Sequence, residues 1–343
     1  MPEPLVVVAS RQWKLRLLAQ EAAEMEEMAR QWLSVEQALE AQISALAHEF
    51  GEREREGKVV SAAALYRLER YQRLRGQAEE EFLRYGEWAA GRIADEQRVL
   101  VRQGLDDYAQ SVRLTYQSGG QFGAFFDRLP VEAVEYLVGL AGDGKPVGDL
   151  LKRRLRFDPG DSQSAAATWA RAVDTLVQGT AQGRNPRRTA RDMAGGLAGG
   201  LNKALEIARS EQIRAYREAG RNQWQASGVV SGQRRLATHD GRVCAACLAD
   251  EGHVYSIDEQ LPDHTSGRCT GVPIVKGMPA VQWTAGEAWF RQQPEATQAA
   301  ILGRGRLDAY RAGAFGFGDL VTRTEDPVWG AGIVPTPLKQ LAA

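Results

Sequence analysis

The stretch Leu236-Ala-Thr-His239-Asp-Gly-Arg-Val-Cys244-Ala-Ala-Cys247 and, after a spacer carrying Gly252 and several carboxylates, Leu261-Pro-Asp-His264-Thr-Ser-Gly-Arg-Cys269-Thr-Gly-Val-Pro-Ile-Val275, holds nearly all the chemically versatile residues of this chain. All three cysteines and three of the four histidines (His239, His253, His264) fall within it. Cys244-x2-Cys247, a gap of sixteen residues and then His264-x4-Cys269 is the spacing of a four-ligand metal site.

Zinc prefers four tetrahedral nitrogen and sulfur ligands, and a closed set of four makes a structural site. Cys244 and Cys247 read as a knuckle that brings two thiolates to one ion from a tight turn. His264 and Cys269 would supply the second pair from a loop containing proline and glycine. The spacer is long enough for a small hairpin with Val254, Tyr255 and Ile257 as its apolar content. So short a region has little core, and one ion would contribute much of its folding energy. The plain alternative is reduced thiols and a solvated histidine. His239 and His253 are spare candidates, each more ordinary as a surface or supporting residue. A catalytic zinc needs an open position and an acid/base carboxylate; Glu251 and Asp263 are near, but their spacing does not require that role. Asp263-His264 also resembles the start of a His-Asn-His nuclease motif, yet no histidine follows His264.

Outward from this stretch the chain reads as helix. From Arg11 to Gln117 there is no proline. Met25, Met28, Trp32, Val35, Leu39, Ile43, Leu46 and Phe50 repeat every three or four residues, one apolar stripe along a helix. Gly51 and Gly57 mark a break. A second helix with Leu65, Leu68, Tyr71, Leu74, Phe82, Tyr85 and Trp88 runs on past Ile93 to Tyr116 and stops at Ser118-Gly119-Gly120. The pair reads as an interaction arm or hairpin, or equally as a bundle core. Pro130 opens a helix through Val138, and Lys152-Arg153-Arg154-Leu155-Arg156 reads as a solvated basic face. Asn185 caps a helix whose first residue is Pro186, where the missing N–H costs nothing. The glycines from Gly195 to Gly200 lack a phosphate-loop pattern and read as a hinge or a close helix contact. Leu201 to Ala219 is a further helix with Gly220 as its stop. Val229-Val230 and Arg234 to Thr238 have β character, with Asp240-Gly241 a tight turn. Beyond, Thr284-x-x-Glu287 reads as a capping box, followed by helices from Pro294 to Gly303 and from Arg306 to Ala312, then an irregular tail from Asp326.

The expected fold is therefore mainly α with a small α+β Cys/His module: long N-terminal helices (1–120), a helical middle (121–228), a short β-hairpin, zinc-knuckle-like region (229–278), and a helical C-terminal extension with an irregular tail (279–343). At 343 residues, 43% hydrophobic and 25% charged, the composition is that of an ordinary globular chain. The net charge of -1 advertises no global affinity for nucleic acid or anionic membrane. No window resembles a membrane span or a secretory signal. Three cysteines without a disulfide framework point to a reducing site of synthesis.

The ordered residues resemble the phage head morphogenesis family, the Mu F-like minor head proteins, over about 175–274 and more loosely to about 323. The elements are Gly179-Thr-Ala-Gln-Gly183-Arg-Asn-Pro186, the helix Ile207-Ala-Arg-Ser-Glu211 with Tyr216 and Trp224, Asp240-Gly-Arg-Val-Cys244-Ala-Ala-Cys247, Pro262-Asp-His264, Arg268-Cys269 and Pro273. Trp289-Phe-Arg-Gln-Gln-Pro294, Ile301-Leu-Gly303 and Asp308-Ala-Tyr-Arg311-Ala-Gly313 resemble the family's C-terminal extension. The family closes the block with Cys-Arg-Cys; here Gly267 stands in the first of those positions, so Cys269 becomes the fourth ligand.

The resemblance implies a structural protein of a tailed bacteriophage or prophage, assembled in the host cytoplasm and located in the virion head. It implies association with the portal protein and with major capsid or scaffold protein, DNA as a further contact, and no enzymatic turnover. The N-terminal helices become a docking or oligomerisation arm. A metal-dependent, His-Asn-His-like nucleic-acid enzyme acting in packaging or entry is the competing reading. An appended ADP-ribosyltransferase has neither the room nor the Arg/Ser-Thr-Ser/Glu-x-Glu series.

Overall fold

The computed structural model describes residues 3–119, 128–240 and 242–341; Gly120 of the expected helix stop and Gly241 of the expected turn lie outside them. The apolar stripes form two long helices, α1 (Leu5–Arg55) and α3 (Glu69–Gly119), with the single turn α2 (Ala62–Tyr66) between them. Then come α4 (Val147–Leu155), α5 (Ala166–Ala181), α6 (Pro186–Gly196) and α7 (Ala198–Ser227). The Cys/His region contributes β1 (Val230–Leu236), α8 (Ala245–Ala249), β2 (Val254–Ser256) and β3 (Thr270–Val275). The chain continues through α9 (Gly286–Arg291), α10 (Glu295–Leu302), α11 (Arg304–Arg311), β4 (Val321–Asp326), β5 (Gly330–Pro335) and α12 (Leu338–Leu341). The protein is mainly helical, and no described helix is long and apolar enough to cross a membrane.

The helices divide between two compact units, each discontinuous in sequence. One comprises residues 1–19, 95–144 and 210–343, the other residues 20–94 and 145–209. The expected boundaries at 120, 228 and 278 follow the chain linearly, whereas α1, α3 and α7 each contribute to both units.

In the unit of 20–94 and 145–209, every residue of the stripe from Met25 to Phe50 is buried. Trp32 meets Phe82 and Tyr85 edge-on, each at 4.8 Å between ring centroids, and the Tyr85 hydroxyl donates to the Met28 carbonyl at 3.0 Å. Helix α4 buries Leu150, Leu151 and Leu155 while Lys152, Arg153 and Arg156 stay exposed, so the basic run is a solvated face. Asn185 caps α6 by accepting from Arg187 N at 2.9 Å, with Pro186 at its first position. The glycine segment is a close helix contact: a Cβ on Gly200 would lie 2.5 Å from Phe82 Cε2 and 2.6 Å from Trp32 Cη2.

In the other unit, residues 95–119 of α3 pack on residues 210–227 of α7 through Tyr108, whose ring lies 4.3 Å from Trp224 and 5.6 Å from Tyr216. Trp224 Nε1 donates to Tyr108 O and to Ser111 Oγ, both at 3.0 Å. Gly220 does not stop the helix. It lies under the Tyr108 ring, where any Cβ would overlap the ring, and α7 ends instead at Gly228, whose φ of 67° favours glycine. Strand β1 is central in an antiparallel sheet of order β2-β1-β3, with Gln233 opposite both Tyr255 and Pro273. The spacer thus pairs β2 with β1 rather than folding on itself. The start of α1 lays Val6 and Val7 against Leu236 and Val272.

Three local expectations are corrected. The helix expected from Pro130 is two 3-10 turns, Val131–Ala133 and Glu135–Leu137. The Thr284 capping box does not form: Ala285 is the cap without a side-chain bond, and Glu287 pairs with Arg291 and Tyr310. The tail expected to be irregular from Asp326 instead supplies β5, which pairs with β4 in an antiparallel hairpin from Val321↔Pro335 to Asp326↔Gly330. Asp326 Oδ1 accepts from Val328 N (2.8 Å) and Trp329 N (3.0 Å), and Gly330 takes φ 71°, which closes the turn across Pro327.

Gly220→Ala is expected to cost about 1–3 kcal/mol through overpacking against Tyr108. Gly91→Ala, at an exposed position of α3 with no atom within 4 Å of the added carbon, should be neutral or stabilise by up to ~1 kcal/mol. Thermal melts that move equally for both variants would contradict the close contact.

Candidate metal centre

Helix α8 begins at Cys244, its N-cap, whose sulfur accepts from Cys247 N at 3.2 Å. One short turn therefore places both thiols on the same side. His264 arrives from the 261–269 loop, and its Nε2 lies 3.3 Å from each sulfur. The three ligand atoms all lie within 4.8 Å of one another. Around a tetrahedral zinc, sulfur and imidazole nitrogen stand about 3.6 Å apart, given bond lengths near 2.3 and 2.1 Å, so the cluster fits such an ion. His264 Nδ1 lies 2.9 Å from the Thr265 carbonyl. A carbonyl only accepts, so Nδ1 carries a proton and Nε2 is the nitrogen turned to the thiols, able to present its lone pair to an ion once its own proton is lost.

Cys269 opens the run into β3 and is buried. It is outside the mutually close set of three, but its thiol and that of Cys247 shift one another's proton affinity. The thiols bias one another. The bond from Cys247 holds Cys244 below the usual thiol range. The same bond pushes Cys247 up, while the Cys247 thiol and burial raise Cys269 well above it. His264 is pushed up to about 9, chiefly by its bond with Cys247.

The ligand loop is fixed from two sides. Asp263 Oδ1 accepts from His264 N at 2.9 Å, and its other oxygen pairs with Arg217 of α7, which also donates to the Gly267 carbonyl at 2.9 Å. Burial pushes the Asp263 carboxyl up, but Arg217, Arg235 and His264 outweigh it and leave it below the usual range. On the far side Ile333 N of β5 donates to the Asp263 carbonyl at 3.0 Å. The expected irregular tail is thus a support of the ligand loop. A cleft of about 250 Å³ opens beside His264, bounded by Arg214, Arg217, Asp263, Glu325 and Asp326.

The other sequence candidates go elsewhere. His239 Nε2 lies 2.6 Å from Glu251 Oε2, and Arg11 Nη1 lies 3.0 Å from its Nδ1. Because arginine only donates, Nδ1 accepts and Nε2 donates to Glu251. Glu251 also accepts from Trp283 Nε1 (3.1 Å) and Gly286 N (2.7 Å), which makes it a clamp for the following segment. His253 is exposed against Tyr255.

Sequence reasoning missed the buried cations. Arg235, fully buried on β1, sets Nε 2.7 Å from Asp250 Oδ2 and donates to the Pro262 carbonyl. Its Nη1 is buried without a hydrogen-bond partner. Burial lowers its proton affinity, but the Cys269 and Cys247 sulfurs and two carboxylates raise it further. Lys14 of α1, 6% exposed, donates to the Leu236 carbonyl at 3.5 Å. Burial lowers its ammonium to about 8, against the pull of Cys269 and Cys247. Nothing local in the sequence distinguishes these two from solvated cations.

Comparison with protein-family models, with curated proteins and with solved structures gives no match.

Gly267 tolerates no side chain, because a Cβ there would overlap the Asp263 carboxylate. Gly267→Ala is expected to cost about 1–3 kcal/mol and to be partly relieved in the Asp263→Gly background. A melting temperature unchanged by Gly267→Ala would contradict this packing.

Proposed function

We propose that this chain is a minor head protein of a tailed bacteriophage or prophage, acting in head morphogenesis by binding rather than by turnover. The observation that carries the reading is an ordered series: residues set apart by the resemblance between Gly179 and Pro273 include Cys244, Cys247 and His264, and these three converge in space. Scattered residues of a chance likeness have no reason to meet at one point with metal-ligand geometry. In this reading Cys244, Cys247, His264 and Cys269 would hold a structural zinc, which when bound supplies a cross-link between α8 and the 261–269 loop. The long helices would serve as the docking or oligomerisation arm towards portal protein and major capsid or scaffold protein, with DNA as a further contact in the virion head.

The purified protein is expected to carry one equivalent of zinc, lost in Cys244→Ser and Cys247→Ser, and chelation should lower the melting temperature. No hydrolysis of DNA or RNA should accompany the bound metal. Nuclease activity abolished by His264→Ala would overturn the binding role in favour of the enzymatic one. Mass spectrometry of purified virions checks location: the chain should be found in heads, and its absence from heads and assembling procapsids would sink the assignment.

A further inference from the structure

Resting on the metal-centre reading above, we infer that Lys14 supplies the counter-charge of an anionic three-thiolate centre, so that the N-terminal segment of α1 is part of the metal site. A divalent ion with three thiolates and a neutral imidazole carries one net negative charge. Cys247 and Cys269 are each 2% exposed, and a buried net charge is costly unless an opposite charge is buried with it.

Arg217 pairs with Asp263, Arg268 with Asp240, and Arg235 and Arg323 share Asp250. Lys14 differs from these in having no such pair. No carboxylate lies within ion-pair distance of it among the described residues, and its hydrogen bond is to a neutral carbonyl. It is nevertheless buried, and it lines the same small cavity, about 20 Å³, as Cys269. A lysine buried beside neutral thiols is a cost with no return; beside a centre with one excess negative charge, it is the balancing group.

The sign of the effect separates this role from ordinary packing. Replacing Lys14 by methionine, similar in length and uncharged, removes a buried ammonium from the metal-free chain and removes the counter-charge from the loaded one. The test uses the full chain and its Lys14→Met, Cys269→Ser and doubly substituted variants. Zinc affinity is measured by competition with a chelator at fixed pH, and melting is followed with and without zinc. Lys14→Met should bind zinc about 10- to 100-fold more weakly, the range found when groups supporting metal ligands are removed, while its metal-free form melts no lower than the parent. In the Cys269→Ser background, where the centre is neutral, the same substitution should change affinity by less than about threefold.

Zinc bound equally by the parent and by Lys14→Met would overturn the inference and leave the metal centre standing. So would metal-free Lys14→Met melting well below the parent, since that is the mark of a packing role. Absence of stoichiometric zinc from the parent chain would remove the metal centre, and the inference with it. Cobalt substitution gives an independent reading: thiolate-to-cobalt absorption should fall by about one third in Cys269→Ser, as expected for three tetrahedral sulfur ligands, and an unchanged spectrum would also overturn the inference.

Discussion

A guanidinium with no exposed surface, Arg235, is the constraint on which the Cys/His region depends. It lies in the central strand of the sheet and reaches Asp250, the residue that ends α8, and the Pro262 carbonyl at the start of the ligand loop. Its backbone accepts from Gly252 N at 2.9 Å and donates to the His253 carbonyl at 3.0 Å. Both segments that carry ligands are thereby anchored to one side chain. Removing one member of a buried ion pair costs about 3–5 kcal/mol, several times a typical net hydrogen bond. The approach of His264 to the two cysteines is therefore held by the protein's own charges as well as by any ion between them.

Two histidines that look alike in the sequence are separated by what the fold puts beside them. His239 has a guanidinium on one ring nitrogen and a buried carboxylate on the other, leaving no lone pair for an ion. His264 has a carbonyl on one nitrogen and two sulfurs on the other. Spacing favoured His264 through its closeness to Cys269. The deciding difference is which nitrogen must carry the proton, and that is set by residues 228 positions away for Arg11 and one position away for Thr265.

What was legible in the sequence is what depends on neighbours along the chain. The stripe from Met25 to Phe50, the Asn185-Pro186 start of α6, the Cys244-x2-Cys247 turn and the β character around Arg235 are all short-range signals, and each appears where it was read. In two of the failures the outcome was settled by a residue distant in sequence, Tyr108 for Gly220 and Tyr310 for Glu287. Gly220 looked like a helix stop, but Tyr108 fills the place where its side chain would be, so the glycine is required for packing rather than termination. Thr284 and Glu287 had the spacing of a capping box, but Glu287 finds Arg291 and Tyr310. Strand β4 reads Val-Thr-Arg-Thr-Glu-Asp, too polar to announce a strand, and is paired because β5 lies opposite it.

The hairpin β4–β5 links those failures to the site. Its Ile333 N bonds the Asp263 carbonyl, and Arg323 of β4 reaches the same Asp250 that Arg235 holds, at 2.8 Å. Asp250 thus receives one arginine from the central sheet and one from the tail. Asp263 receives one from α7 while its backbone is held by β5. Asp250 and Asp263 are each matched by at least one guanidinium, and the loop between them has little freedom to move without separating opposite charges in a buried setting. A site meant to open and close would need a weakly held segment near its ligands. Here the ligand loop is the more strongly tied part, which is in keeping with the binding role proposed above and with a structural rather than an opening site.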